Sequence, residues 1–296
     1  MSTVGYKWLY FLIWVLCCLG LFLRPLRDLG QLAWHDDTAS HILLIPFISG
    51  WLLFSDRRIE HSREGLSFRP ALIFVIPSIL IAIFAFRCVS VSKHDRLSSY
   101  IFSLVLLIIS GFVFSFGLAN AKRSSFALAF LLFAVPIPEL ILDKLIYCLQ
   151  VGSAAIAEVF FNLSSAPVLR DGFVFRLPNM SIEVAEECSG IRSSLALLIL
   201  SLLVAHFSFH QIWKKTLFVV AGLAMMLIKN GIRIAALTLL ANYVNPDFLY
   251  GKLHHQGGVV FFLIGLALLW PLYWYLRKGE TRFNMNAKQV GSVPLS

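Results

Sequence analysis

Residues 99–120 read SYIFSLVLLIISGFVFSFGLAN, a run without a single charged side chain. A helix rising about 1.5 Å per residue carries such a run across the ~30 Å hydrocarbon core of a bilayer. Further apolar runs flank it on both sides: Tyr6–Leu23, His41–Phe54, Pro70–Phe86, Ser124–Pro136, Ile191–Phe207, Leu217–Tyr243 and Val259–Leu276. The pattern predicts an all-α polytopic membrane protein of about eight transmembrane helices. Residues 1–278 are expected to form one integral-membrane domain, and 279–296 a polar cytoplasmic tail.

Composition agrees. The 296 residues are 58% hydrophobic and 14% charged, with a mean hydropathy of +0.80. A soluble domain carries roughly 25% charged residues, so this chain lacks the charge to cover a water-facing surface. Its net charge of +9 does not signal nucleic acid, since no basic face or aromatic-basic module accompanies it. In a membrane protein Lys and Arg instead collect in cytoplasmic loops. With the N-terminus inside, 13 Lys and Arg fall on inner segments and 6 on outer ones, which predicts that both termini are cytoplasmic. The first run reads as an uncleaved signal anchor.

Residues 138–187 break the pattern. Ile141, Leu145, Leu149 and Ile156 recur at helical spacing among Asp143, Lys144, Gln150 and Glu158, as in an amphipathic helix lying along the interface. Residues 167–187 then alternate around Asp171-Gly172 and Pro178-Asn179, which are turn signals between short strands. A small β-hairpin on the outer face is expected to deliver the chain into the sixth span.

None of the five cysteines forms a C-x-x-C pair, so neither a metal site nor a redox pair is indicated. Cys188 alone sits among polar residues, in Glu186-Glu187-Cys188-Ser189-Gly190-Ile191-Arg192. A thiol at a helix N-terminus is biased towards thiolate by the exposed N–H groups; the alternative is a packing cysteine. Arg233 and Lys229 lie four apart in an apolar span, and ionisable groups there mark a functional or paired site. His254 and His255 open the last span, with a side chain suited to proton exchange near neutral pH. The expected topology brings Cys188, Arg233 and His254 to the same outer side. A thiolate, a cation for the oxyanion and an imidazole are the parts acyl transfer needs.

These residues resemble those of an exosortase, of the exosortase/archaeosortase family of membrane transpeptidases. The resemblance rests on His41-Ile-Leu-Leu-Ile-Pro-Phe-Ile, Asp56-Arg57-Arg58, Pro136-Ile-Pro-Glu and Leu177-Pro-Asn. It rests most on Val184-Ala-Glu-Glu-Cys-Ser-Gly-Ile-Arg-Ser, followed by Asn230-x-x-Arg233 and His254-x-x-x-Gly258. It implies Cys188 as nucleophile, Arg233 as oxyanion or substrate stabiliser, and His254 as general acid/base, with His255 the alternative. Glu187, Ser189, Gly190, Arg192, Lys229 and Asn230 are the expected substrate-binding residues. The implied substrates are exported proteins with a C-terminal sorting signal: a short motif such as Pro-Glu-Pro, a transmembrane helix and a basic tail. The acyl group would pass to an unidentified acceptor in the bacterial inner membrane, among membrane lipids, with the active site on the periplasmic side. No cofactor or metal is expected. The rival readings are a membrane cysteine protease using water, and a non-catalytic transport or assembly component.

Overall fold

A computed structural model describes residues 3–56, 66–88, 90–164, 166–245, 247–250 and 258–290, with Glu187, Cys188 and 280–290 among those described by backbone alone. The chain is a predominantly helical, polytopic membrane protein. It divides into two compact units, Met1–Leu142 and Asp143–Ser296.

In the first unit, α1 (Thr3–Leu21) meets α2 (Leu23–His35) at a 78° bend. A 3₁₀ turn (Asp37–Leu43) leads into α3 (Ile45–Ser55). The membrane-length helices α4 (Phe68–Arg87) and α5 (Lys93–Phe116) form an antiparallel pair. Buried serines join them: Ser78 Oγ donates to the Ser103 carbonyl and Ser103 Oγ to the Ser78 carbonyl, each at 2.9 Å. Such inter-helix hydrogen bonds matter where the alternative is a bare hydroxyl in hydrocarbon. Helix α1 packs along α5 through Phe11 against Phe112, and Trp14 Nε1 donates to the Leu107 carbonyl at 2.8 Å.

The return from α5 is short and broken, through α6 (Leu118–Arg123), α7 (Ser125–Phe130) and a 3₁₀ turn (Leu131–Ala134). It ends beside the start of α5, where Asp95 Oδ1 accepts from Glu139 N at 2.7 Å. Eleven residues of α3 rise only about 16 Å, and α7 is shorter still. Among the described residues six helices are therefore long and apolar enough to cross a membrane, or seven if the bent α1–α2 pair is one span, rather than eight.

The second unit contains most of α8 (Glu139–Leu163). This helix, expected along the interface, is itself long and apolar enough to cross. Three short strands follow, β1 (Leu169–Asp171), β2 (Val174–Arg176) and β3 (Ser181–Glu183), as an antiparallel meander in which Phe175 faces Ile182. Gly172 makes the first turn with a left-handed φ of +62°, which glycine adopts without penalty. Period-two alternation turns Phe175 inward, where it is fully buried against Phe161 of α8. Ala154, Ala157, Ile234 and Ala235 complete that core.

Three helices close the unit: α9 (Ile191–Ser208), α10 (Ile212–Tyr243) and, after the short α11 (Asp247–Tyr250), α12 (Gly258–Val290). Leu197, Met226 and Leu269 pack at their centre, and Ala205, Phe209, Phe218 and Leu276 near one end. Helix α12 continues beyond its apolar part into the polar tail as far as Val290.

Candidate active site

The site begins where the sheet hands the chain to α9. Val184 is fixed on both sides: its N–H donates to the Phe173 carbonyl at 2.9 Å, and its carbonyl accepts from Gln150 Nε2 at 3.0 Å. The next residues, Glu186–Ser189, form a single 3₁₀ turn that carries Cys188. Gly190 then ends the turn and starts α9 in the left-handed region, at φ +69° and ψ 22°. A side chain at this position would be strained, and its Cβ would fall 2.7 Å from Asn230 Oδ1.

Asn230 is the hub beneath that turn. Its side chain is 2% exposed, and Nδ2 donates to Ser189 O at 3.1 Å and to Ser153 Oγ at 3.0 Å. One amide thereby joins α8, the Cys188 turn and α10. An unpaired amide in this interior would cost about 1–3 kcal/mol, so the hydrogen bonds fix its orientation. The Oγ of Ser189 is buried with no hydrogen-bond partner among the described residues.

Lys229 is also 2% exposed. Its stem lies over Gly265 of α12 and its head reaches α9. Its ammonium donates to Ser193 Oγ, and Ser193 Oγ donates to the Gly190 carbonyl at 3.1 Å. That carbonyl also accepts the first helical N–H of α9, from Ser194, at 2.9 Å. Lys229 and Asn230, read from sequence as substrate-binding, thus turn their polar atoms inward to hold the turn from below.

Arg233 stands one turn beyond Lys229 and is only partly buried. It lies about 4.5 Å further along α10 than Asn230, on the side away from the centre of the helix. Arg192, in the first turn of α9, is exposed. Glu187 and Cys188 enter the picture through their backbone in the turn, and Ser189 and Gly190 through the contacts above. His254 and His255 lie outside the described residues, in the stretch between α11 and α12. Among the described residues no group of three or more His, Cys, Asp or Glu side chains is placed to hold a metal ion.

Gln150, Ser153 and Ser193 are the site residues that sequence reasoning passed over. Gln150 and Ser153 are three apart, on one face of α8, and both are buried. Polar side chains on one stripe of an otherwise apolar helix were the available signal.

The family model described as Transmembrane exosortase (Exosortase_EpsH) matches residues 33–271, and the chain belongs to that family. No curated protein and no solved structure matches it. The matched region contains Cys188, Arg233, His254 and every residue of the hydrogen-bonded hub.

Proposed function

We propose that the protein is a cysteine-dependent membrane transpeptidase that cleaves C-terminal sorting signals from exported proteins. The observation that carries this reading is the hydrogen bond from Asn230 to Ser189, which registers the Cys188 turn against the Arg233-bearing stretch of α10. Family membership supports the reaction class.

The steps follow from the groups available. The Cys188 thiolate attacks the scissile carbonyl carbon, and the C=O pair moves onto oxygen, where Arg233 stabilises the negative charge. Collapse of this tetrahedral species breaks the C–N bond, and His254 gives its proton to the leaving amine. An acyl thioester on Cys188 remains. An acceptor amine or hydroxyl then loses its proton to His254 and attacks the thioester, and the C–S bond breaks to return the thiolate.

Sidedness follows from chain direction. The Cys188 turn opens α9, Arg233 lies in the later part of α10, and residues 251–257 precede α12. The opposite ends of the same helices carry Lys214, Lys215, Arg277 and Lys278. By the positive-inside rule that basic end is cytoplasmic, so the site faces the periplasm of a bacterial inner membrane and the C-terminal end lies in the cytoplasm; the N-terminus joins it there if the crossings number six. Substrate reaches it as a short motif followed by its own transmembrane helix and basic tail.

The test is Cys188→Ala in cells making a sorting-signal protein, following that protein's size and membrane release. Unprocessed substrate with normal amounts of inserted variant is expected. Normal processing would remove Cys188 as nucleophile and with it the mechanism. The released product separates transfer from hydrolysis, since transfer adds the acceptor's mass and hydrolysis adds only water.

A further inference from the structure

The first unit holds a second polar feature that the proposed reaction does not use. A cavity of about 890 Å³ opens at the α1–α2 bend, against the last turns of α4 and the first turns of α5. Arg24, Lys93 and Arg96 line it, opposed by a single carboxylate, Asp28. Its remaining wall is largely apolar, with Phe22, Phe86 and Leu97 among the lining residues.

Three cations around one cavity repel one another unless an anion joins them. No ion pair neutralises Arg24, Lys93 or Arg96 among the described residues. Arg96 is the telling member. Its Nη2 reaches the carbonyls of Cys88 and Val91 only at 3.5 Å, the outer limit of a hydrogen bond. Its Nε is buried with no acceptor among the described residues. The guanidinium is thus weakly satisfied within the chain and keeps donor capacity for an acceptor in the cavity. Simple snorkelling of arginines to the membrane surface would leave their donors in water instead.

Location selects the kind of anion. Helix α2 turns 78° from α1 and is amphipathic: Leu29 and Ala33 are buried, while Arg24, Arg27 and Asp28 are exposed. A helix of that pattern lies in the interface, at headgroup depth. The cavity also sits where two membrane-length helices end and begin. Its ligand therefore has a charged head at the surface and a body that tolerates Phe22, Phe86 and Leu97. Guanidinium forks match phosphate oxygens in geometry as well as charge.

We propose that this cavity binds the phosphate headgroup of an anionic phospholipid, held by Arg24, Lys93 and Arg96, with its chains along the apolar wall. Phosphate is the recognised chemistry, and a free phosphate ion would share it.

The experiment uses the full-length protein in neutral detergent, titrated with phosphatidylglycerol or phosphatidylcholine and read by native mass spectrometry. Preferential retention of phosphatidylglycerol is expected, weakened about tenfold or more in Arg24→Gln/Lys93→Gln, which alters only exposed side chains, and again in Arg96→Gln. Lys122→Gln/Arg123→Gln removes two exposed cations elsewhere in the same unit and should leave retention unchanged. Displacement of the lipid by millimolar inorganic phosphate would assign the site to the free ion and overturn the lipid. Equal retention of both lipids, or unaltered retention in the Arg24/Lys93 variant, would overturn the site. The readout does not involve Cys188, so its failure leaves the transpeptidase reading untouched, and the reverse holds.

Discussion

Asn230 Nδ2 lies 3.1 Å from the carbonyl oxygen of Ser189, so a buried side chain in the middle of α10 holds the turn that carries Cys188. The same amide reaches Ser153 on α8, and its oxygen lies close against the Cα of Gly190. The turn is thus gripped from two neighbouring helices, and its position does not depend on the sheet alone.

Asn230→Ala removes both donors and leaves the Ser189 carbonyl without this partner. Each lost hydrogen bond contributes about 1 kcal/mol, so kcat for signal cleavage should fall roughly 10- to 100-fold. KM should change little, because Asn230 is expected to act through the turn rather than on the substrate. A rise in KM with kcat intact would identify it instead as a substrate contact.

Gly190→Ala and Gly172→Ala separate backbone strain from the site. Both positions have left-handed φ, +69° and +62°, so each alanine costs roughly 1–2 kcal/mol. Only at Gly190 does the added Cβ meet Asn230 Oδ1; nothing lies near it at Gly172. A loss of thermal stability is expected in both, larger in the Gly190 variant, with cleavage abolished in that variant alone. Full activity in Gly190→Ala would contradict the hub.

Lys229 and Arg233 should behave oppositely despite sharing a helix face. Lys229→Met keeps the stem volume between α9 and α12 and removes a buried charge, a change often near neutral for stability. Ser193 retains its bond to the Gly190 carbonyl, so cleavage should stay within about tenfold of wild type. Arg233→Lys keeps the charge but loses the guanidinium fork, and should reduce cleavage by about 100-fold or more. Steady-state kinetics on matched amounts of inserted protein decides the pair.

Sidedness is open to direct labelling. A single cysteine at Asp171, beside the β1–β2 turn, should react with a membrane-impermeant maleimide added to intact spheroplasts. One at Gln211, between α9 and α10, should react only after lysis. The reverse pattern would turn the site towards the cytoplasm and end the sorting-signal proposal.

Ser78→Ala and Ser103→Ala test the α4–α5 pair. Their hydroxyls exchange reciprocal bonds to each other's carbonyls, so the double variant should lose less than the two single losses added together. Singles of about 1 kcal/mol each are expected, read from unfolding in detergent. Strict additivity would mean the two serines do not cooperate.

Much of this was readable in the chain. Residues 99–120 announce a membrane helix because an uninterrupted apolar run has one stable solvent, and α5 covers most of it. Asp171-Gly172 marks a turn because glycine alone enters the left-handed region freely, and the turn is there. The shorter runs misled because hydropathy does not register helix breaks: His41–Phe54 begins in a 3₁₀ turn, and Ser124–Pro136 breaks into α7 and another. Residues 139–163 are ambiguous in sequence, since scattered charges on one stripe look interfacial whether the stripe meets water or protein; Gln150, one of those polar residues, is buried, and the helix is also long and apolar enough to cross. Pro178-Asn179 marks a second turn, between β2 and β3, and makes the expected hairpin a three-stranded meander. In the site, Cys188 and Arg233 were conspicuous as polar groups among apolar ones, whereas Ser153 and Ser193 are common residues whose importance lies in what they touch.

The order of α9, α10 and α12 along the chain has one more implication. Each is joined to the next head to tail, so the Cys188 turn and the Arg233 stretch share a parity that no event upstream can divide. On the proposed function, gain or loss of a crossing in the first unit would invert both together and move the reaction, intact, to the other compartment. On that reading, insertion errors in the first unit misdirect the site rather than dismantle it, and the basic residues at Lys214, Lys215, Arg277 and Lys278 are the local guard against that inversion.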